Sequence, residues 1–184
     1  GEGEHTNFSL WKTKMGVVKT VSLLAYNGYV TYGWCLIAYS CVSTLIEKGN
    51  VTVPEETIVD LKHYQTLALF EILFSILGFS KTNLLFAFGQ IGARLLIINT
   101  YLQMAPTFYL VLPLVTIWSV GEVCRYPFYF FKSIDVEFFI FTFLRYSAFI
   151  ILYPAGALTE LRIIYEVLPE IEKIDPKNGR IYSY

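Results

Sequence analysis

Between residues 17 and 168 the sequence is written as apolar blocks, five of them, each near the roughly 20 residues a helix needs to cross the hydrocarbon of a bilayer. They run approximately over 17–46, 62–79, 83–105, 107–131 and 137–168. Strands are the competing reading, because the blocks are rich in aromatic and branched side chains. A membrane strand, however, alternates in polarity over about ten residues, and blocks of this length without alternation predict helices. Composition agrees, with 55% hydrophobic and 16% charged residues and a mean hydropathy of +0.51. Soluble domains carry about 25% charged residues. The expectation is an all-α polytopic membrane helix bundle with five spans over 17–168, a polar segment over 1–16 and a polar tail over 169–184.

The opening GEGEHTNFSLWKTK is polar and lacks the basic region, short apolar core and cleavage site of a signal peptide. The first span is therefore expected to do the targeting. EKGNVTVPEETIVDLK, over 47–62, carries glycine, proline and many charges and reads as an exposed loop. The remaining connections, at 80–83, 103–107 and 132–137, are short, so consecutive helices are expected to be antiparallel neighbours. Basic residues divide evenly between the two faces that five spans define, and they leave the bundle unoriented. A net charge of −1 offers no field to attract nucleic acid. His5 and His63 lie far apart and the three cysteines show no CxxC spacing, which argues against a zinc site. Cys35, Cys41 and Cys124 fall inside apolar segments and read as small buried hydrophobes.

Charges inside such blocks are costly unless they are paired or used. The informative set is Glu71, Arg94, Glu122, Arg125, Arg145 and Glu160. Three acids and three bases can neutralise one another within a bundle, which is the structural reading. Glu122 and Arg125 stand i, i+3 and can pair directly, whereas Gln90 and Arg94 share a helix face with no acid nearby in sequence. These two must look to another helix or to a ligand. In LRYSAFIILYPAGALTE, over 144–160, the spacing brings Arg145, Tyr153 and Glu160 to within about 80° of one helix face. Pro154 removes a backbone donor and loosens the turn before it, and Gly156 exposes backbone to close approach. A tyrosine and a glutamate so placed can serve as an acid–base pair around a ligand lying between them. The tryptophans Trp11, Trp34 and Trp118 and the run YPFYFF at 126–131 read mostly as interface belts and packing.

The segments YNGYVTYGW at 26–34, FEILFSILGFS at 70–80, GQIGAR at 89–94, WSVGEVCRYPFY at 118–129 and LRYSAFIILYPAGALTE at 144–160 follow one another in a recognisable order. In them the chain resembles the very-long-chain (3R)-3-hydroxyacyl-CoA dehydratases of fatty acid elongation, also known as protein tyrosine phosphatase-like proteins. The resemblance implies six membrane helices in the endoplasmic reticulum, against the five spans read here. It also implies removal of water from (3R)-3-hydroxyacyl-CoA to give trans-2-enoyl-CoA, with no metal and no organic cofactor. Carried onto this sequence, the catalytic pair is Tyr153 and Glu160, with Glu160 favoured as the base, and the supporting or substrate-binding positions are Gln90, Arg94, Arg145 and Gly156.

Expected partners are a long-chain acyl-CoA substrate, membrane lipid, and the elongase-cycle enzymes or a larger membrane complex. The competing expectation is a dehydratase-derived, catalytically inactive structural subunit of such a complex, in an organelle membrane. One departure from the family pattern bears on chemistry. Where relatives commonly follow the second-span glutamate with a His-Cys pair, this chain has Phe74 and Ser75. A thiolate phosphatase needs the cysteine nucleophile and an arginine six residues on; Ser75 and Lys81 supply neither.

Overall fold

The computed structural model of the chain describes residues 2–48, 52–80, 83–102 and 109–172, and among these every regular element is helical. Helix α1 covers Glu2–Lys48, α2 Glu55–Leu67, α3 Leu69–Ile76, α4 Leu84–Leu96, α5 Val111–Lys132 and α6 Phe139–Glu172. Helix α4 continues into a single π-helical turn, Ile97–Tyr101. Helices α2 and α3 are separated only at Ala68, so five helical rods stand where five apolar blocks were expected. Three segments, Met15–Ile46, Leu84–Tyr101 and Phe139–Val167, are long and apolar enough to cross a membrane. The protein is a membrane protein. The expected polar segment over 1–16 is not set apart in the backbone, because α1 runs unbroken from Glu2 into its apolar span. The turns at 81–82 and 103–107 and the tail from 173 lie outside the described residues.

Helix α5 is the centre of the bundle, packed between α1 and α6. The buried stripe of α1 is Asn27, Val30, Trp34, Ile37, Cys41 and Thr44, at alternating steps of three and four that keep one seam facing a partner helix. It shares one buried cluster with Val111, Val115, Trp118 and Tyr126 of α5, the helix packed against it. Helix α6 buries only Gly156, Ile163 and Val167 along its described length; Phe139, Ile150, Leu158 and Tyr165 point away from the bundle. An outward face of that kind suits lipid. The helix continues through Pro154 without a break, so the loosened turn expected there is not a break in the rod.

The segment read as an exposed loop over 47–62 is corrected by the structure. Pro54 sits at the N-cap of α2, Glu55 and Glu56 occupy the first turn, where carboxylates complement the helix dipole, and Val53, Thr57 and Leu61 are buried. The charges that suggested a loop are the start of a helix. Ser40 of α1 and Thr57 of α2 then join at 2.6 Å, and the Tyr26 hydroxyl donates to the Leu67 carbonyl at 3.1 Å, where α2 ends.

Two ends aim the elements that carry polar groups. The Asn83 side chain caps α4 by accepting from the backbone N–H groups of Leu85 (3.1 Å) and Phe86 (3.3 Å). Helix α3 closes in a Schellman motif: Phe79 N–H bonds the Phe74 carbonyl at 2.7 Å, Gly78 N–H bonds Ser75 at 3.1 Å, and Gly78 takes the left-handed φ of 72°. The rings of Phe74 and Phe79 stack across it at 6.0 Å. Phe74 and Ser75 therefore help to end a helix.

Candidate active site

A cavity of about 750 Å³ opens between α3, α4, α5 and α6. All six residues singled out in the sequence line it: Gln90 and Arg94 from α4, and Arg145, Tyr153, Gly156 and Glu160 from α6. Helix α5 forms the wall between them, presenting Trp118, Glu122, Arg125 and Tyr129.

The electrostatics divide this set in two. Glu71, Arg94, Glu122 and Arg125 join into one network across α3, α4 and α5. Arg125 grips both carboxylate oxygens of Glu71, at 2.7 and 2.8 Å, and donates from Nε to Glu122 at 2.7 Å. The other oxygen of Glu122 takes Arg94 as an ion pair. The Tyr126 hydroxyl accepts from Arg125 at 2.9 Å and donates to Glu71 at 2.5 Å. Two acids and two bases thus cancel, and the i, i+3 pairing expected of Glu122 and Arg125 is one edge of a larger structure. Arg94, which had no acid near it in sequence, finds Glu122 on the neighbouring helix.

Arg145 and Glu160 are the two members of the charged set that have no ion-pair partner among the described residues. The guanidinium of Arg145 lies 5.9 Å from the centre of the Tyr129 ring, with Nη2 at 3.5 Å from its hydroxyl. Glu160 Oε1 accepts a hydrogen bond from Trp118 Nε1 at 2.8 Å. Tyr153 packs its ring against Phe149, centroids 5.0 Å apart, and is 45% exposed; its hydroxyl has no hydrogen bond among the described residues. Gln90 likewise keeps its amide free at the cavity wall. Gly156 faces α5, and a Cβ placed on it would meet Ile117 Cγ2 at 3.6 Å, an ordinary contact. Close packing therefore does not by itself require glycine there.

Of the two readings open for Trp118, belt or packing, the structure selects packing, with a polar contact added. This residue is not part of a belt at the membrane surface: only 2% exposed, it sits beneath Arg94, whose guanidinium lies 5.1 Å from the ring centre, and it touches Glu160 on the other side. The signal was available in its spacing, since Trp118 precedes Glu122 by four residues and shares that face of α5. Trp34 and Tyr126 are buried too, at 1% each, and both are packing residues of the bundle. Of the cysteines, Cys41 is buried and Cys124 half-buried as expected, whereas Cys35 is exposed; all three are free thiols.

Fold and site together define a helical membrane protein with a cavity between its helices into which charged and polar side chains project. Residues 65–181 match the model of the family described as protein tyrosine phosphatase-like protein, PTPLA, and the chain belongs to that family. It is 35% identical over 173 residues to the very-long-chain (3R)-3-hydroxyacyl-CoA dehydratase PASTICCINO 2 of Arabidopsis thaliana, covering 92% of this chain and 76% of that protein. It is also 35% identical over 167 residues to very-long-chain (3R)-3-hydroxyacyl-CoA dehydratase 1 of Canis lupus familiaris, covering 88% of this chain and 67% of the relative. Dehydratase 2 of Homo sapiens is 32% identical over 158 residues, 84% of this chain and 62% of its own length. No solved structure matches the chain.

Proposed function

We propose that this protein removes water from (3R)-3-hydroxyacyl-CoA to give trans-2-enoyl-CoA in very-long-chain fatty acid elongation, as a multi-span protein of the endoplasmic reticulum membrane. Its similarity to proteins named for that reaction supports the reading. The structural observation that carries it is the pairing, on one cavity wall, of a carboxylate without an ion pair and a phenol without a hydrogen bond among the described residues. Seven residues apart on α6, Tyr153 and Glu160 lie within about 20° of one another around the helix and about 10 Å apart along it.

The thioester carbonyl acidifies the proton on C2 of the substrate. Glu160 takes that proton, the C2–H electron pair becomes the new C2=C3 bond, and the C3–O bond breaks. Tyr153 donates its phenolic proton to the departing hydroxyl, which leaves as water. Glu160 then carries the proton that Tyr153 lacks, and its return to the phenolate restores both groups. Arg145, without an ion pair, and Gln90, without a hydrogen bond among the described residues, are assigned to the polar acyl-CoA end, and Arg94 to holding the α5 wall. The chemistry requires no metal or organic cofactor.

The test is direct. Purified protein in lipid nanodiscs, given a long-chain (3R)-3-hydroxyacyl-CoA, should release the 2-enoyl-CoA product, read by mass. A well-folded preparation without turnover would favour the structural-subunit reading instead.

A further inference from the structure

Among the described residues, Glu160 is held by neither a cation nor a second carboxylate. Its hydrogen-bond partner is an indole. Trp118 Nε1 donates to Glu160 Oε1 at 2.8 Å across the α5–α6 contact. An indole N–H only donates, so this contact suits a carboxylate oxygen that accepts. The indole is itself fixed. It is 2% exposed and lies under the Arg94 guanidinium, which is ion-paired with Glu122, which is in turn bonded to Arg125, clamped by Glu71. A rigid chain of contacts therefore runs from α3 through α4 and α5 to one oxygen of the proposed base, leaving its other oxygen for substrate.

We propose that Trp118 is a positioning residue that holds the Glu160 carboxylate in the orientation that accepts the substrate's C2 proton, and that Arg94, Glu122, Arg125 and Glu71 serve this purpose through it. The inference rests on the dehydratase reading. It adds a role for the polar network, which becomes the mount of the base.

A displaced base loses up to roughly 100-fold in rate. Trp118→Phe keeps an aromatic ring under Arg94 and removes only the donor. The expected result is a fall in kcat of about ten- to hundredfold with KM changed less than about twofold. Trp34→Phe is the control: Trp34 is equally buried, its indole nitrogen has no partner, and it lies outside the cavity lining, so its kcat should stay at the parent value. Equal kcat in Trp118→Phe and parent protein would overturn the proposal, as would a loss matched by Trp34→Phe.

A second measurement does not depend on a Trp118 variant folding. In protein labelled with ¹⁵N-tryptophan, the indole resonance of Trp118, found as one of the two that persist in Trp34→Phe, should move on Glu160→Ala. No indole movement would overturn the contact. Absence of turnover in the parent protein, with the indole shift present, would instead count against the dehydratase reading and leave the contact standing.

Discussion

Replacing Glu160 by glutamine keeps a side chain that still accepts from the Trp118 indole but can no longer take a proton. Replacing Tyr153 by phenylalanine keeps the ring against Phe149 and deletes the hydroxyl. Each substitution should lower kcat by at least about 10²–10⁴-fold, the usual contribution of a positioned acid or base. Membrane preparations matched for protein amount by immunoblot would read this, and full turnover in either variant would sink the assignment. Glu122 belongs to a different kind of chemistry. It is 3% exposed and holds two guanidinium groups, so Glu122→Ala leaves Arg94 and Arg125 short of a counter-charge inside the bundle. Removing one partner of such a buried pair costs about 3–5 kcal/mol, and the thermal midpoint in detergent should fall sharply. Glu166→Gln, which breaks only the more exposed pair with Arg162, should barely move it.

At the level of the helices, the contact between α1 and α2 turns on one small residue. A Cβ at Gly33 would lie 2.0 Å from Cζ of Tyr64, whose ring is 6% exposed and has little room to yield. Glycine here is a matter of clearance, the close-approach role that small residues play between membrane helices. Gly33→Ala should therefore push Tyr64 out and lower the thermal midpoint. A second change, Tyr64→Ala, should recover part of the loss if the clash is its cause. Gly89 and Gly92 on α4 have open space around the corresponding position, so alanine there should be neutral or slightly stabilising by its better helix propensity. A comparable drop at all three glycines would show that helix packing around Gly33 is not special.

For the whole molecule, the cavity of about 750 Å³ is the feature that a ligand can exploit. A ligand that binds the folded protein stabilises it, by about 2.7 kcal/mol at a hundred times its dissociation constant. Long-chain 2-enoyl-CoA, the proposed product, should raise the thermal midpoint by several degrees, and free CoA, lacking the acyl chain, by less. The shift should survive in Tyr153→Phe, because that change removes a proton donor and not the cavity. Equal shifts for CoA with and without the acyl chain would place the binding outside the apolar part of the cavity.

The helices themselves were legible in the order of the residues. Inside a bilayer every backbone N–H and C=O must be satisfied within its own segment, so a long apolar block has little choice but to be helical. The costly groups were legible for the same reason: Arg94, Arg145, Tyr153 and Glu160 stood out because lipid offers them nothing. Their partners were not. In a membrane bundle apolar side chains face both neighbouring helices and lipid, so hydropathy names the spans without saying which faces meet. Only the assembly of α3, α4 and α6 around α5 decided that Arg94 pairs with Glu122, that Glu71 closes on Arg125, and that Trp118 reaches Glu160. The stretch 55–62 went astray for a related reason. Its charges signal water when read singly, yet Pro54 stands at the N-cap and Glu55 and Glu56 in the first turn of a helix whose Thr57 and Leu61 are buried once α1 lies against them. Local chemistry determined which residues would be helical and which would be costly; the distance between helices, a property of the assembled bundle alone, determined which of those costly groups are ion-paired with one another and which, like Arg145 and Glu160, are not.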